Sequence, residues 1–284
     1  MRVLVISAGL VGLGPTAAGA VVGATWADLG HQVAVVPIGV GGQALIDAVS
    51  AIAGTAVLTP EPGESSAILG EQLAASRDAS TILMDLTGDC PDDAGAGLVQ
   101  ALGSREALSG RRLVGIVSES ELEADLLGVR GVAARRAYSS GSPDIGAALA
   151  GDARLSRIAA EVGLPDPPHG AGAGNGLALG VLALGGSVRT GPQAIGELVG
   201  IERSLAAADL LVLVTEALDF GGAGVTEARA AAAWAEQALV PCIAVATVVR
   251  ISGRELRTLG VESAYQLGED ASESAMRVAR TWSW

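Results

Sequence analysis

Lysine is missing altogether from these 284 residues; every one of the 18 basic side chains is arginine. That removes one residue type from every catalytic scheme and rules out a Walker phosphate loop, which requires a lysine. Positive charge is scarce in general: 31 acidic residues leave a net charge of −13, and the pI is about 4.5. So acidic a surface repels phosphate backbones, and no nucleic-acid partner is expected. Aromatic residues make up 2% of the chain, so alanine and valine must build the core, and small side chains let helices lie close to a sheet. The two cysteines, Cys90 and Cys242, stand far apart without metal-type spacing and are read as reduced and unpaired. The two histidines, His31 and His169, have no Ser–Asp partnership visible in sequence and are read as surface or satisfied side chains. No apolar run approaches the roughly 20 residues of a membrane span. The opening MRVLVIS reads as a buried strand rather than a signal peptide, so a cytoplasmic, membrane-free protein is expected.

What is present is repetition of a different kind. Short β-branched runs (2–7, 32–38, 80–86, 112–118, 210–215 and 241–249) alternate with alanine-rich stretches of helical character. The helical stretches cover 15–29, 42–53, 64–77, 93–102, 144–162, 176–185, 194–207, 224–238 and 252–259. Several strands are apolar on both faces, as parallel strands covered by helices should be. This order predicts an α/β fold with a doubly wound, mostly parallel sheet, and ligands at the carboxyl ends of its strands. The proline-rich LPDPPHGAG (164–172) reads as the clearest linker, and 271–284 as a terminal helix with Trp282 and Trp284 docked on the body.

Glycine is abundant, with 40 residues, and it gathers where strands hand over to helices. The loop SAGLVGLGPT (7–16) fails the G-x-G-x-x-G spacing, and no acidic residue ends the second strand, so a tight turn is preferred to dinucleotide binding. In PIGVGGQALIDAV (37–49), Gly41 and Gly42 open a helix and offer backbone N–H groups to an anion, or simply make a turn. The richest segment is MDLTGDCPDDAGAGLVQALG (84–103). Asp85, Asp89, Asp92 and Asp93 fall within nine residues, ahead of a helix opened by Gly95 and Gly97. Such carboxylates could hold magnesium or act as a base in phosphoryl transfer; a helix cap alone needs fewer of them. Glu216 and Asp219 repeat the theme after another buried strand. The run HGAGAGNGLALG (169–180) matches neither a Walker loop nor a dinucleotide fingerprint.

Taken in order, these segments resemble the bacterial, ATP-dependent glycerate kinase family. The family's V-P-V-A-D-G-G-E-G-T is similar to VPIGVGGQAL (36–45), and its G-G-S-A-T-N-D-G-G-A-G-M-x-x-A-L-G to TGDCPDDAGAGLVQALG (87–103). Its P-G-A-G-A-A-G-G-x-G is similar to HGAGAGNGLA (169–178), and L-G-A-x-L-x-x-G to LGGSVRTG (184–191). VTEALD (214–219) stands in the region of its T-G-E-G-x-x-D.

The resemblance implies two lobes, 1–58 with 192–284 and a reduced 59–191. It also implies ATP and Mg2+ as cofactors and glycerate or a similar small hydroxy acid as substrate; a homodimer is the assembly considered alongside. It casts Asp93 and Asp219 as catalytic residues. Substrate or phosphate contacts fall to Gly41, Gly42, Gly88, Asp89, Gly95, Gly97, Gly170, Gly172, Gly174, Asn175 and Gly176.

The departures are equally specific. The family's Asp-Ser-aromatic-Lys after the first strand is replaced by Ser7-Ala8-Gly9-Leu10-Val11, and its second-motif Asp and Glu by Val40 and Gln43. The Arg of its fourth motif and the Gly-Lys-x-Pro beyond it have no counterpart, and the chain is shorter than the family norm. Losing one such charge-stabilising contact costs about 3 kcal/mol, on the order of a hundredfold in rate. A second reading therefore accompanies the kinase: a catalytically silent relative that keeps the fold as a binding or regulatory protein.

Overall fold

A computed structural model describes all residues except Glu64, 140–143 and 220–221, together with the side chain of Ala223. In chain order the helices and strands are β1 (Arg2–Ser7), α1 (Pro15–Asp28), β2 (Gln32–Pro37), α2 (Gly42–Val49), β3 (Thr55–Leu58), α3 (Ala67–Ala75), β4 (Thr81–Asp85) and α4 (Ala96–Leu102). They continue with β5 (Arg112–Ile116), α5 (Val132–Ser139), α6 (Ile145–Glu161), α7 (Ala178–Ala183), β6 (Ser187–Arg189), α8 (Gly191–Val199) and α9 (Ile201–Leu205). The last are β7 (Leu210–Leu218), α10 (Ala223–Ala238), β8 (Cys242–Val249), α11 (Gly253–Thr258), β9 (Ser263–Gln266) and α12 (Ala271–Thr281).

The chain divides into two compact units, Met1–Ala51 with Gly191–Trp284, and Ile52–Thr190. The first holds a five-stranded sheet in the order β2-β1-β7-β8-β9, all pairs parallel. Strand order reverses at β1, which has β2 on one side and β7 on the other, the kind of switch point at which open α/β sheets place their ligands. Val3, Val5, Val212, Val214, Ile243 and Val245 pack beneath α1 and α12, where Trp26 is wholly buried. Helix α1 comes this close because Gly19 has no side chain: a Cβ there would lie 2.6 Å from Val35 Cγ1. The second unit is a four-stranded parallel sheet, β3-β4-β5-β6, with Ile82, Met84 and Leu86 packed against Leu69, Leu73 and Leu98 of the flanking helices.

The α/β class and the parallel, helix-covered sheets follow the apolar alternation of the sequence. The differences are local. The continuous helix expected over 194–207 is broken at Gly200, whose φ of +62° is left-handed, and becomes α8 and α9. Strands β3, β6 and β9 and helix α5 are short, half-buried or polar, and carry too little hydrophobic periodicity to be seen in advance. The segment 164–172 lies inside the second unit, so it is an internal turn rather than a boundary linker. Trp282 packs on the core and donates an indole hydrogen bond to Tyr265, whereas Trp284 is 69% exposed, its ring tilted against that of Trp282 at 6.5 Å. No described helix is long and apolar enough to cross a membrane.

Candidate functional site

In the second unit the sequence-predicted acids gather after β4. Asp85 ends the strand, is buried, and accepts hydrogen bonds from the Thr87 N–H at 3.1 Å and its hydroxyl at 2.7 Å. Gly88 and Asp89 follow on an exposed turn. Beside them Cys90 is half-buried, and its thiol is pushed up to about 12, first by burial and then by the carboxylates of Glu121, Asp85 and Asp89. Both effects disfavour the thiolate, the reactive form of the side chain.

Asp93 sits where two helices begin. Its Oδ2 accepts the N–H of Ser66 at 2.7 Å, the Ser66 hydroxyl at 3.0 Å and the N–H of Gly97 at 3.0 Å. Its Oδ1 accepts the N–H of Gly95 at 3.0 Å. The buried Ser66 hydroxyl in turn accepts the N–H of Leu98 at 2.8 Å, which ties the start of α3 to the start of α4. Both carboxylate oxygens therefore serve orphan donors of helix first turns. The glycines of this motif answer to close packing. A Cβ on Gly97 would stand 2.7 Å from Asp93 Oδ2, and one on Gly95 2.7 Å from the Gly180 backbone in α7.

The 169–176 loop is brought to the same end of the sheet. A Cβ on Gly174 would meet Leu86 Cβ at 2.8 Å and Cys90 Sγ at 3.1 Å, and one on Gly172 would collide with the Asp125 carbonyl. Gly170 and Gly172 both donate their N–H to Ala124. Gly174, Asn175 and Gly176 are three successive left-handed residues. Asn175 is held there by Arg136, which donates to its Oδ1 at 2.7 Å and also pairs with Asp92. Neighbouring Arg135 donates to the Gly172 carbonyl at 2.9 Å. At the start of the loop His169 is hydrogen-bonded to Asp125, and that bond together with Arg130 holds the Asp125 carboxyl below the usual carboxylate range.

In the first unit, Gly41 is extended and Gly42 left-handed at the start of α2. Gly39 and Gly191 approach so closely that a Cβ on Gly191 would lie within bonding range of the Gly39 carbonyl. Asp219 follows β7, and a Cβ on Gly222 would be 2.7 Å from its Oδ1. One acid was not foreseen. Glu227, in the second turn of α10, is buried and accepts a hydrogen bond from Thr215 of β7. Burial raises its carboxyl to about 7, against the Thr215 hydrogen bond and with the help of Glu216. Ser66, Arg135, Arg136 and Asp125 were likewise unmarked. Only Ser66, in SSAILG ahead of an apolar run, carried a helix-start signal. Among the described residues no group of three or more His, Cys, Asp or Glu is placed to hold a metal ion.

The class this geometry defines is a two-unit α/β protein with parallel sheets and glycine-built handovers at their carboxyl edges. The model of the glycerate kinase family matches residues 145–283. The fold is shared with the crystal structure of "putative glycerate kinase 2" from Salmonella typhimurium LT2, at a TM-score of 0.74 and 18% identity, over 99% of this chain and 96% of that one. The resemblance to the glycerate kinase family is thereby borne out by the family model over residues 145–283, and the solved structure shows the shared fold. Uncharacterized proteins of Mycobacterium bovis and Mycobacterium tuberculosis are each 30% identical over 221 residues. That alignment takes in 74% of this chain and 57% of each relative, so the chain spans little more than half the length of the curated relatives it matches.

Proposed function

We propose that this protein keeps the fold of the glycerate kinase family without its phosphoryl transfer, and works in the cytoplasm as a small-molecule binding protein. One observation carries the reading: the Asp93 carboxylate, the leading catalytic candidate, accepts four hydrogen bonds from the starts of two helices. Oδ2 is taken up by three of these donors and Oδ1 by one, so the carboxylate works as a cap shared by two helices, and stripping the donors would unseat α3 and α4. The rest of the chain agrees. No lysine exists to neutralise a transferring phosphoryl group, and Arg135 and Arg136 are committed to the glycine loop. On this reading Asp93 is a structural carboxylate rather than a magnesium ligand. In a coupled assay with ATP, magnesium and glycerate, ADP release is expected to stay at the background of a heat-denatured sample. A thermal-shift screen against ATP, ADP and glycerate finds which ligand is still held.

A second reading, an ATP-dependent kinase acting on glycerate or a similar hydroxy acid, draws on the acids left at the edge of the second sheet. Asp85, Asp89 and Glu121 lie near enough to act on Cys90 electrostatically. Steady ADP release with glycerate, abolished by Asp85→Asn or Asp219→Asn in a folded protein, would establish it and overturn the first.

A further inference from the structure

Four strands form the edges of the two sheets, and one of them is unguarded. Strands β3 and β9 have four residues, β6 has three, and β9 begins right after Glu262. Short length and nearby charge are common guards against edge-to-edge pairing. Strand β2 has six residues, QVAVVP, none of them charged, and its Gln32, Ala34 and Val35 are exposed. The N–H of Gln32 bonds to the Met1 carbonyl and that of Ile38 to Ser7, so the even-numbered residues of β2 face β1. Alternation along the strand turns the N–H and C=O groups of Val33 and Val35 outward, off the edge of the sheet. Helix α1 continues the same surface. Its Gly19 and Gly23 lie against Val35 and Val33, while Ala17, Ala20, Ala24 and Ala27 are exposed. Asp28 is its one charged residue, and a helix apolar all round is ordinarily covered.

We propose that a second copy of this chain covers this edge, by antiparallel pairing of β2 with β2 about a dyad through Ala34. The register is self-complementary. Val33 of each copy exchanges both hydrogen bonds with Val35 of the other, which satisfies every outward group of the two residues. The dyad also carries both α1 helices to the same face of the joined sheet. They stand two strand spacings, or ~10 Å, apart, a distance at which helices with small side chains pack. Charge agrees as well. The two helices run antiparallel, so Asp28, exposed at the negative end of its own helix dipole, meets the positive N-terminus of the other α1. An uncharged patch is also where two chains of net charge −13 repel each other least. The pairing is independent of whether the protein transfers phosphoryl groups.

Sedimentation equilibrium of the full chain up to about 100 µM tests this. A monomer–dimer equilibrium with a dissociation constant on the order of 10 µM is expected, tightening several-fold as salt screens the like charges. Ala24→Glu, at an exposed helix position, sets two carboxylates near the dyad and weakens the dimer at least about tenfold. Val35→Pro removes an N–H that serves no bond to β1, and so weakens the dimer while leaving that ladder intact. Circular dichroism checks that both variants fold. In the parent chain, amide exchange at Val33 and Val35 slows as the dimer forms. A chain that stays monomeric at about 100 µM overturns the proposal and leaves the edge to a strand from another protein. A dimer unmoved by Ala24→Glu overturns it too, as does one whose Val33 and Val35 amides exchange as fast as in the monomer, since its interface would lie elsewhere.

Discussion

At the scale of single residues, two carboxylates separate structural from chemical roles. Asp93 makes four hydrogen bonds to helix starts, and charge-assisted bonds of this kind are each worth more than a neutral one. Asp93→Ala is expected to destabilise the protein by about 2–4 kcal/mol, since truncation leaves several donors unpaired. Urea unfolding followed by circular dichroism measures it; a variant as stable as the parent would return Asp93 to the catalytic candidates. Glu227 works in the opposite sense. Its folded carboxyl titrates at about 7 against an ordinary 4.5, so the folded state holds a proton that the unfolded chain releases. That stability is complete below the unfolded value and is lost as pH rises through the folded one, on the order of 3 kcal/mol in all. Glu227→Gln keeps an acceptor for Thr215 and is expected to remove this fall. Melting temperatures of parent and variant should converge near pH 4 and separate above pH 7, with the variant higher.

Among elements, the glycine motifs are the joints. Gly95 has a φ of +78° and lies against Gly180, where α4 meets α7. Gly95→Ala combines left-handed strain of about 1–2 kcal/mol with a backbone clash, so a loss of about 3 kcal/mol or more is expected. Chemical denaturation reads it directly, and a loss under 1 kcal/mol would mean that α7 is free to retreat. The same reasoning explains how much of the site was legible. The segment 84–103 was recognisable because its acids and glycines are consecutive in sequence. What Asp93 does was not, because its principal partner, Ser66, is 27 residues away and is brought to it only by the pairing of α3 with α4. Arg135 and Arg136 lie on a short helix with little apolar pattern, and nothing local links them to a loop 37 to 39 residues on. The Gly200 break was hidden for another reason: a single glycine inside a helical pattern reads as a tolerated residue until its φ is known.

For the molecule as a whole, the second unit is one continuous stretch, Ile52–Thr190, with its own parallel sheet and its own apolar core. Expressed alone, it is expected to fold and to unfold cooperatively, with a sigmoidal urea transition and dispersed amide resonances. A fragment with neither would show that its core depends on the remainder of the chain. The sequence by itself determined the class of fold, the parallel character of the sheets and the resemblance to the glycerate kinase family, because these rest on local alternation of apolar runs, glycine handovers and their order. Tertiary structure alone decided what the acids do. Whether a carboxylate such as Asp93 is free for chemistry or committed to a helix start depends on which donors folding carries to it from elsewhere in the chain. The raised carboxyl of Glu227 likewise comes from burial against β7, a desolvation no neighbouring residue announces.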